Sequence, residues 1–442
     1  MLTSSLFRLG VLSGSLSLAA CSSQNGAPNG GGEGGVLPDS GASGGNAAGS
    51  SGAAGSGAGS GGATGSGGTR GTGGSMGTSG SMGTSGSMGT SGSMGTSGSM
   101  GTSGSMGTGG ATGTGDGGAR PGASGLPIPP TSGVAKPSGM PGNLSVLNWA
   151  GFKAAVSFTF DDSQPSQIAH YAELQAVGIP MTFYICDGNQ GLATFDATWT
   201  QAARDGHEIG NHTAHHCQAN LTGCSFGMPA ATQADEINSN ASYITSHYPQ
   251  SSVWTMASPF GDTGWDTPAQ ASVFINRGVG NGTVGANDTS DPFNLPIHLA
   301  ASGETAAMFN GLTDTAHSAG RWLIVLIHTI TPTTANWFNP VAINDVTSAM
   351  SHAKALSDVW NDTVVNIGAY WRMQKVFSGL NPTTSGATTT WTWTLPAHFP
   401  PGKFLRVTVS GGTLSQRGTP LAWNDHGFYE VALDADSLTL GP

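Results

Sequence analysis

From Ser22 to Lys136 the chain is Gly, Ser, Thr and Ala with almost nothing to bury. Any folded core must therefore come from the remaining stretch of about 300 residues. Inside this segment Ser75-Met76-Gly77-Thr78-Ser79-Gly80 recurs at a period of six, restarting at Ser81, Ser87, Ser93 and Ser99, with a variant at Ser105. Hexapeptide periods can build a β-helix, but here Met is the one sizeable apolar side chain per repeat, so no packed layer forms. The composition predicts a flexible tether. For roughly 115 such residues the r.m.s. span is about 55–65 Å.

Residues 1–20 read as a secretory signal, with Arg8 early and an apolar segment ending in small residues. The segment is too short and too broken by Ser and Gly to span a bilayer. Leu18-Ala19-Ala20-Cys21 resembles a bacterial lipobox, which makes Cys21 the lipidated first residue of the mature chain. The expectation is an exported protein held to the bacterial membrane, at the outer membrane or cell surface, by acyl chains alone. A formal net charge of −11 argues against nucleic acid as a partner, and a monomer is expected. Of the other cysteines, Cys217 and Cys224 are close enough to staple one loop, leaving Cys186 as a buried thiol on a strand.

Periodic sequence begins near Leu147, after Leu126-Pro127-Ile128-Pro129-Pro130. Apolar runs predict strands over residues 154–160, 181–186, 208–211, 253–257, 273–278, 322–327 and 363–367. Amphipathic segments lie between them. The clearest covers residues 232–248, where Ile237, Ala241, Ile244 and Tyr248 share a helical face. This alternation predicts an α/β fold, a distorted parallel (β/α) barrel with about seven strands, whose chemistry sits at the C-terminal strand ends. From Gly379 onward the strand-like runs 388–393, 404–409 and 428–433 follow one another without helices. They predict a small β-rich domain over residues 379–442, too small for independent stability and expected to pack on the barrel.

The first predicted strand stops at Asp161-Asp162. Two adjacent carboxylates repel, and a bound divalent cation removes the conflict: one ligates it while the other stays ionised as a base. The alternative is a polar turn in which one Asp caps the next helix. The third strand runs into His207-Glu208-Ile209-Gly210-Asn211-His212-Thr213-Ala214-His215-His216. His212 and His216, four apart, point the same way on a helical turn, a chelating geometry that His215 also satisfies on spacing. With Asp162 they make a His-His-Asp set with positions open for water and substrate. The strand over residues 322–327 ends at His328, where a general acid is favoured over a structural histidine. Trp337-Phe338 follow and offer an aromatic platform at the mouth, with packing under a helix as the alternative. The remaining histidines read as surface or core residues.

Together these residues resemble the polysaccharide deacetylase family, the carbohydrate esterases that share the NodB-type homology domain. Its Thr-Phe-Asp-Asp motif stands here as Thr159-Phe160-Asp161-Asp162, its His-[Ser/Thr]-x-x-His motif as His212 to His216, and its Leu-x-His motif as Leu326-Ile327-His328. Ala257-Ser258-Pro259-Phe260-Gly261 represents the Arg-x-Pro-[Tyr/Phe] motif. The resemblance covers about residues 147–376 and implies a catalytic domain over residues 143–378, which the compositional tether over residues 21–142 precedes. It implies Asp161 as the base, Asp162, His212 and His216 as ligands of a divalent metal, and His328 as the acid. Zinc is the expected metal, with cobalt, nickel or manganese as alternatives. Pro259, Phe260 and Leu326 would contact substrate, Leu326 in the acetyl-methyl pocket and the Phe260 N–H at the oxyanion.

Three departures stand out: Ser163 follows the Asp pair where Gly is usual, Ala257 replaces the motif Arg, and no Asp-x-x-x-Asp-Trp segment tunes His328. Arg277 is the candidate substitute for the Arg, and Asp288 and Asp291 are the nearest candidates for the tuning carboxylate. The implied activity is metal-dependent removal of acetyl groups from an acetylated polysaccharide, of N-acetylglucosamine type. The alternatives are O-acetyl removal from a hemicellulose such as xylan, or a glycan-binding lipoprotein that has lost catalysis.

Overall fold

The structure, a computed structural model, describes residues 124–189, 192–333 and 338–442. The signal segment, Cys21, the hexapeptide repeats and Trp337 lie outside the described residues. Parallel strands β1 (Ala154–Asp161), β2 (Thr182–Ile185), β3 (Glu208–Asn211), β4 (Thr255–Ala257), β5 (Ile275–Asn281), β6 (Leu295–Leu299) and β7 (Arg321–Ile327) follow one another around a barrel. It closes where β7 pairs with β1, residues Trp322 to Ile327 against Ala155 to Phe160. An eighth strand, β8 (Val359–Asn361), pairs with the first three residues of β1, before β2 joins its edge. Around the barrel lie α1 (Pro165–Ala169), α2 (Tyr171–Val177), α3 (Leu192–Arg204), α4 (Gln233–His247), α5 (Asp266–Ser272), α6 (Ala306–Ala319) and α7 (Ile343–Ala355).

All eight residues of β1 are buried, as expected of a strand filled inside the barrel and covered by helices outside. Val156, Phe158 and Phe160 pack with Leu174 of α2 and Val346 and Met350 of α7 in the outer core. The two-residue period sends Ala155, Ser157, Thr159 and Asp161 to the lumen, where Ala155 joins Ile275, Trp322, Ile324 and Leu326. The hydroxyls on this face are satisfied: Ser157 donates to the Asp362 carbonyl at 2.8 Å and Thr159 to the Val325 carbonyl at 2.9 Å.

Two strand assignments change. Residues 363–367, predicted as a strand, open helix α8 (Val364–Ser378), with Thr363 as N-cap accepting from the Asn366 N–H. The helix seats its first turn in the bottom of the barrel: the Val364 N–H reaches Thr182 Oγ1 and the Val365 N–H reaches Glu208 Oε2, both at 3.0 Å. Its place in the barrel wall is taken by β6, whose Leu-Pro-Ile-His-Leu sequence disguises a strand. The predicted helix over residues 232–248 is α4, capped by the Thr232 side chain and with Asp235 and Glu236 in its first turn.

The C-terminal region forms two antiparallel sheets, one of five strands and one of three strands that Ser145–Val146 joins as a fourth. Its core residues Trp393, Leu405, Val407, Val431 and Leu438 are continuous with Tyr370 and Trp371 of α8. Residues 124–142, expected to belong to the tether, are laid along this region. Arg406, fully buried, donates to the carbonyls of Pro127 and Leu126 in this segment and of Ala150, and pairs with Glu430 at 3.0 Å. A buried guanidinium needs such acceptors, and this segment supplies two of the three carbonyls. Ser145 and Val146 then pair with Thr408 and Val407. Among the described residues no helix is long and apolar enough to cross a membrane.

Candidate active site

The site is built at the C-terminal mouth of the barrel. β1 ends at Asp161, and the chain then turns through left-handed backbone at Asp162 (φ 73°) and Ser163 (φ 54°). Successive strand residues face opposite ways, so this turn brings both carboxylates over one mouth, at a cost on the order of 1–2 kcal/mol per residue. The turn is tied down by Ser163 Oγ, which accepts from the Cys186 N–H at 2.9 Å, and by Asn189 Nδ2 donating to the Asp162 carbonyl at 3.1 Å.

His212 and His216 come together by a route that spacing did not anticipate. Residues 212–216 are not helical: Thr213 (φ 61°) and His216 (φ 50°) take left-handed backbone. Asn211 Oδ1 accepts from the Thr213 N–H and Thr213 Oγ1 from the His216 N–H, which holds the loop. The Cys217–Cys224 disulfide closes the following segment and sets Ser225 beside His216 Nδ1 at 3.0 Å. Cys186 is the buried free thiol. His215 turns away to Glu236, its Nδ1 2.9 Å from Oε1.

The His212 Nδ1–H lies 2.8 Å from the Ala257 carbonyl, which leaves the Nε2 lone pair facing Asp162 Oδ1 at 3.2 Å. His216 Nε2 is 3.4 Å from the same oxygen. Asp162 Oδ1 is buried and accepts no hydrogen bond. Two imidazole lone pairs and a carboxylate oxygen converging without a donor is an arrangement that a shared cation resolves. One ligand atom from each of Asp162, His212 and His216 falls within 4.8 Å of the others, so the residues fit a divalent metal with nitrogen and oxygen donors. Burial, then the charge of His212, lowers the His216 pKa to about 4, keeping that ligand neutral at ordinary pH. Burial works against a charged His212, but Asp161 and Asp162 outweigh it and raise its pKa, so a metal bound there would have to displace a proton.

Asp161 Oδ1 is ion-paired with the guanidinium of Arg277, and its Oδ2 lies 3.6 Å from His212 Nε2. Arg277 is fully buried and is the register partner of Ala257 on the adjacent parallel strand. The charge missing from position 257 is thus delivered from one strand over.

His328 follows β7, with Nε2 3.9 Å from Asp162 Oδ2 and its ring edge-on to Phe338 at 5.1 Å. Its Nδ1 is buried without a hydrogen-bond partner. Neither proposed tuning carboxylate reaches it. Asp288 pairs with Arg321 at the start of β7, the far end of the strand, and Asp291 Oδ1 accepts from the Phe293 N–H. Burial lowers the His328 pKa, against the pull of Asp162 and Asp161.

These groups open into a cleft of about 440 Å³ walled by Phe226, Phe260, Val279, Leu299, Leu326 and Phe338. Phe260 is half exposed on a left-handed turn (φ 56°), its ring 4.5 Å from that of His216. Pro259, expected to touch substrate, is instead buried behind that turn and is no part of the cleft lining. Phe226, Val279 and Leu299 escaped sequence reasoning, because no local pattern separates a cleft wall from a core residue.

The family model for polysaccharide deacetylase matches residues 151–273, a stretch that holds both Asp and both His ligand candidates but ends before Arg277 and His328. Among solved structures, the chain is similar to a putative polysaccharide deacetylase from Mycobacterium smegmatis (15% identity, 58% of this chain and 98% of that one, TM-score 0.36). It is also similar to the Xyl-CE4 domain of a multidomain xylanase from the hindgut metagenome of Trinervitermes trinervoides (15%, 52% and 94%, TM-score 0.32). A family 4 acetyl xylan esterase from Clostridium thermocellum, in complex with a cobalt ion, matches at 16% identity over 48% of this chain and 89% of that one, TM-score 0.29. No curated protein matches.

Proposed function

We propose that this chain, which carries a polysaccharide deacetylase domain over residues 151–273, hydrolyses acetyl groups from an N-acetylglucosamine-type polymer. The observation that carries the reading is the unpaired Asp162 Oδ1 facing the imidazoles of His212 and His216, directly beside an Asp161 ion-paired to Arg277. A divalent metal held by Asp162, His212 and His216, zinc on donor type, would polarise the acetyl carbonyl and acidify the attacking water. Asp161 takes the proton of that water, with Arg277 fixing one carboxylate oxygen and leaving the other to act. The Phe260 N–H, on the exposed turn, donates to the oxyanion as charge develops on it. Leu326 and Leu299 wall the methyl group. His328 Nε2 gives a proton to the departing amine.

A second reading, O-acetyl removal from a hemicellulose, is favoured by the unpartnered Nδ1 of His328. An alkoxide leaves with less help than an amine, so a less firmly held acid suffices there. Loss of catalysis, suggested by Ala257 in place of the motif Arg, is disfavoured by the Arg277–Asp161 pair. The test is acetate release from chitooligosaccharides, peptidoglycan and acetylated xylan side by side, with and without a chelator. Release from none of them by metal-loaded protein overturns the reading. We further propose that the protein acts as an exported lipoprotein, acylated at Cys21, with the glycine-rich segment as its tether.

A further inference from the structure

The Arg277 guanidinium has little to hold it in place. Nη2 meets Asp161, Nη1 reaches the Gly278 carbonyl only at 3.4 Å, and Nε has no partner. Its other neighbour is the ring of Tyr184, whose centroid lies 4.7 Å from the guanidinium carbon. Tyr184 is fully buried and sits at the lateral register position between Asp161 on β1 and Gly210 on β3. The ring lies so close over β3 that a Cβ at position 210 would come within 2.5 Å of Tyr184 Cδ1 and Cε1. Gly210 is therefore the slot that admits the ring. At its far end the Tyr184 hydroxyl meets Thr255 Oγ1 at 3.1 Å, and Thr255 donates to Glu208 Oε1 at 2.6 Å. Glu208 is in turn held by Thr182 and by the Val365 N–H at the start of α8.

We infer that Tyr184 is a positioning residue for hydrolysis: its ring, slotted over Gly210 and pinned through Thr255 to Glu208, holds the Arg277 guanidinium against Asp161. A desolvated cation over an aromatic face is a strong contact, and here it replaces hydrogen bonds that the guanidinium lacks. In this chain Arg277 reaches Asp161 from β5, not from position 257, and the Tyr184 ring is the support that this displaced route requires. The inference rests on Asp161 acting as the base.

Tyr184→Phe keeps the ring and Tyr184→Leu removes it. In crystal structures of the two variants, Arg277 should stay on Asp161 in Tyr184→Phe and move off it in Tyr184→Leu. That readout needs no turnover, so it stands even if the proposed reaction fails. On whichever acetylated substrate the wild type hydrolyses, Tyr184→Leu should lower kcat about 30-fold, with KM and bound metal unchanged. In an Arg277→Ala background Tyr184→Leu should cost nothing further, a non-additivity that general loosening of the barrel would not produce. Gly210→Ala, which displaces the ring while leaving Tyr184 present, should show the same kcat loss. An unmoved Arg277 in Tyr184→Leu, or fully additive losses in the double variant, overturns the inference.

Discussion

Arg277 and Ala257 are register partners on adjacent parallel strands, and that pairing lets Arg277 meet Asp161 where a side chain at position 257 would have done so. Ala257 is not idle: its carbonyl accepts from His212 Nδ1 and so orients one metal-ligand candidate. Breaking the buried pair with Arg277→Ala leaves Asp161 uncompensated, which should cost about 3–5 kcal/mol of stability. Turnover should fall by more than tenfold, with metal content retained. Arg277→Lys should recover charge without the planar contact to Tyr184, and so restore stability further than kcat. Denaturant midpoints and steady-state rates on the same preparations check both.

The adjacent aspartates should separate cleanly in metal analysis. Asp162→Ala, His212→Ala and His216→Ala each remove one member of the cluster and should lose bound metal and activity together. Asp161→Asn keeps the cluster and removes the proposed base, so metal should stay near stoichiometric while turnover is abolished. Metal lost in Asp161→Asn but kept in Asp162→Ala would reverse the two assignments.

How much of this was legible in the sequence depends on how local each signal was. Asp161, Asp162, His212 and His328 sit at or just past strand ends, and a short apolar run broken by a chemically active side chain is visible in one dimension. Arg277 was legible as a candidate substitute for the missing motif Arg, because it is a basic residue on the next strand. That it serves Asp161 is set by barrel closure and register, which no local pattern encodes. His212 and His216 were found by a spacing rule that assumed a helix, yet left-handed backbone at Thr213 and His216 brings them together. Val364-Val365 reads as a strand from β-branching, and the Thr363 cap outweighed it once α8 had the barrel floor to bury against. Gly210 offered no turn signal, because its reason is the ring of Tyr184, its register partner on the neighbouring strand.

Below neutral pH, His207 should be a point of weakness. Its Nδ1 accepts from the Met181 N–H at 3.0 Å and its Nε2 lies 2.6 Å from Gln175 Oε1, a pattern only the neutral ring satisfies. Burial lowers its pKa to about 4, against an ordinary value of 6.5. The folded state thus binds fewer protons than the unfolded state between these values. The stabilisation is complete above pH 6.5 and is lost as pH falls towards 4, by about 3 kcal/mol at that end. His207→Gln should be less stable than wild type at pH 7 and show a flatter decline from pH 7 to 4. Urea titrations across that range measure it, and parallel curves for the two proteins would rule it out.

Acylation at Cys21 makes a simple prediction for the full chain. Cys21→Ser should move the protein from the membrane fraction to the soluble fraction and leave acetate release unchanged, because the barrel and its site are built from residues far along the chain. Continued sedimentation with membranes would mean that something other than Cys21 holds it there.

His328 offers the finest discrimination between amide and ester chemistry. Its Nε2 lies 3.9 Å from Asp162 Oδ2, and its Nδ1 has no acceptor to fix the ring. Burial lowers its pKa, so the protonated form is scarce at neutral pH and must be drawn up as the leaving group gains basicity. A departing amine needs that proton, a sugar alkoxide needs it less, and an aryloxide does not need it. His328→Ala should therefore lose about 10²–10⁴-fold on an N-acetylated sugar and much less on an aryl acetate. Metal content should match wild type, since His328 is no member of the ligand cluster. If both substrates lose equally, His328 does not act by protonating the leaving group. A wild type that favours acetylated xylan over chitooligosaccharides, with only a shallow His328→Ala penalty on xylan, would move the assignment from N-acetyl to O-acetyl removal.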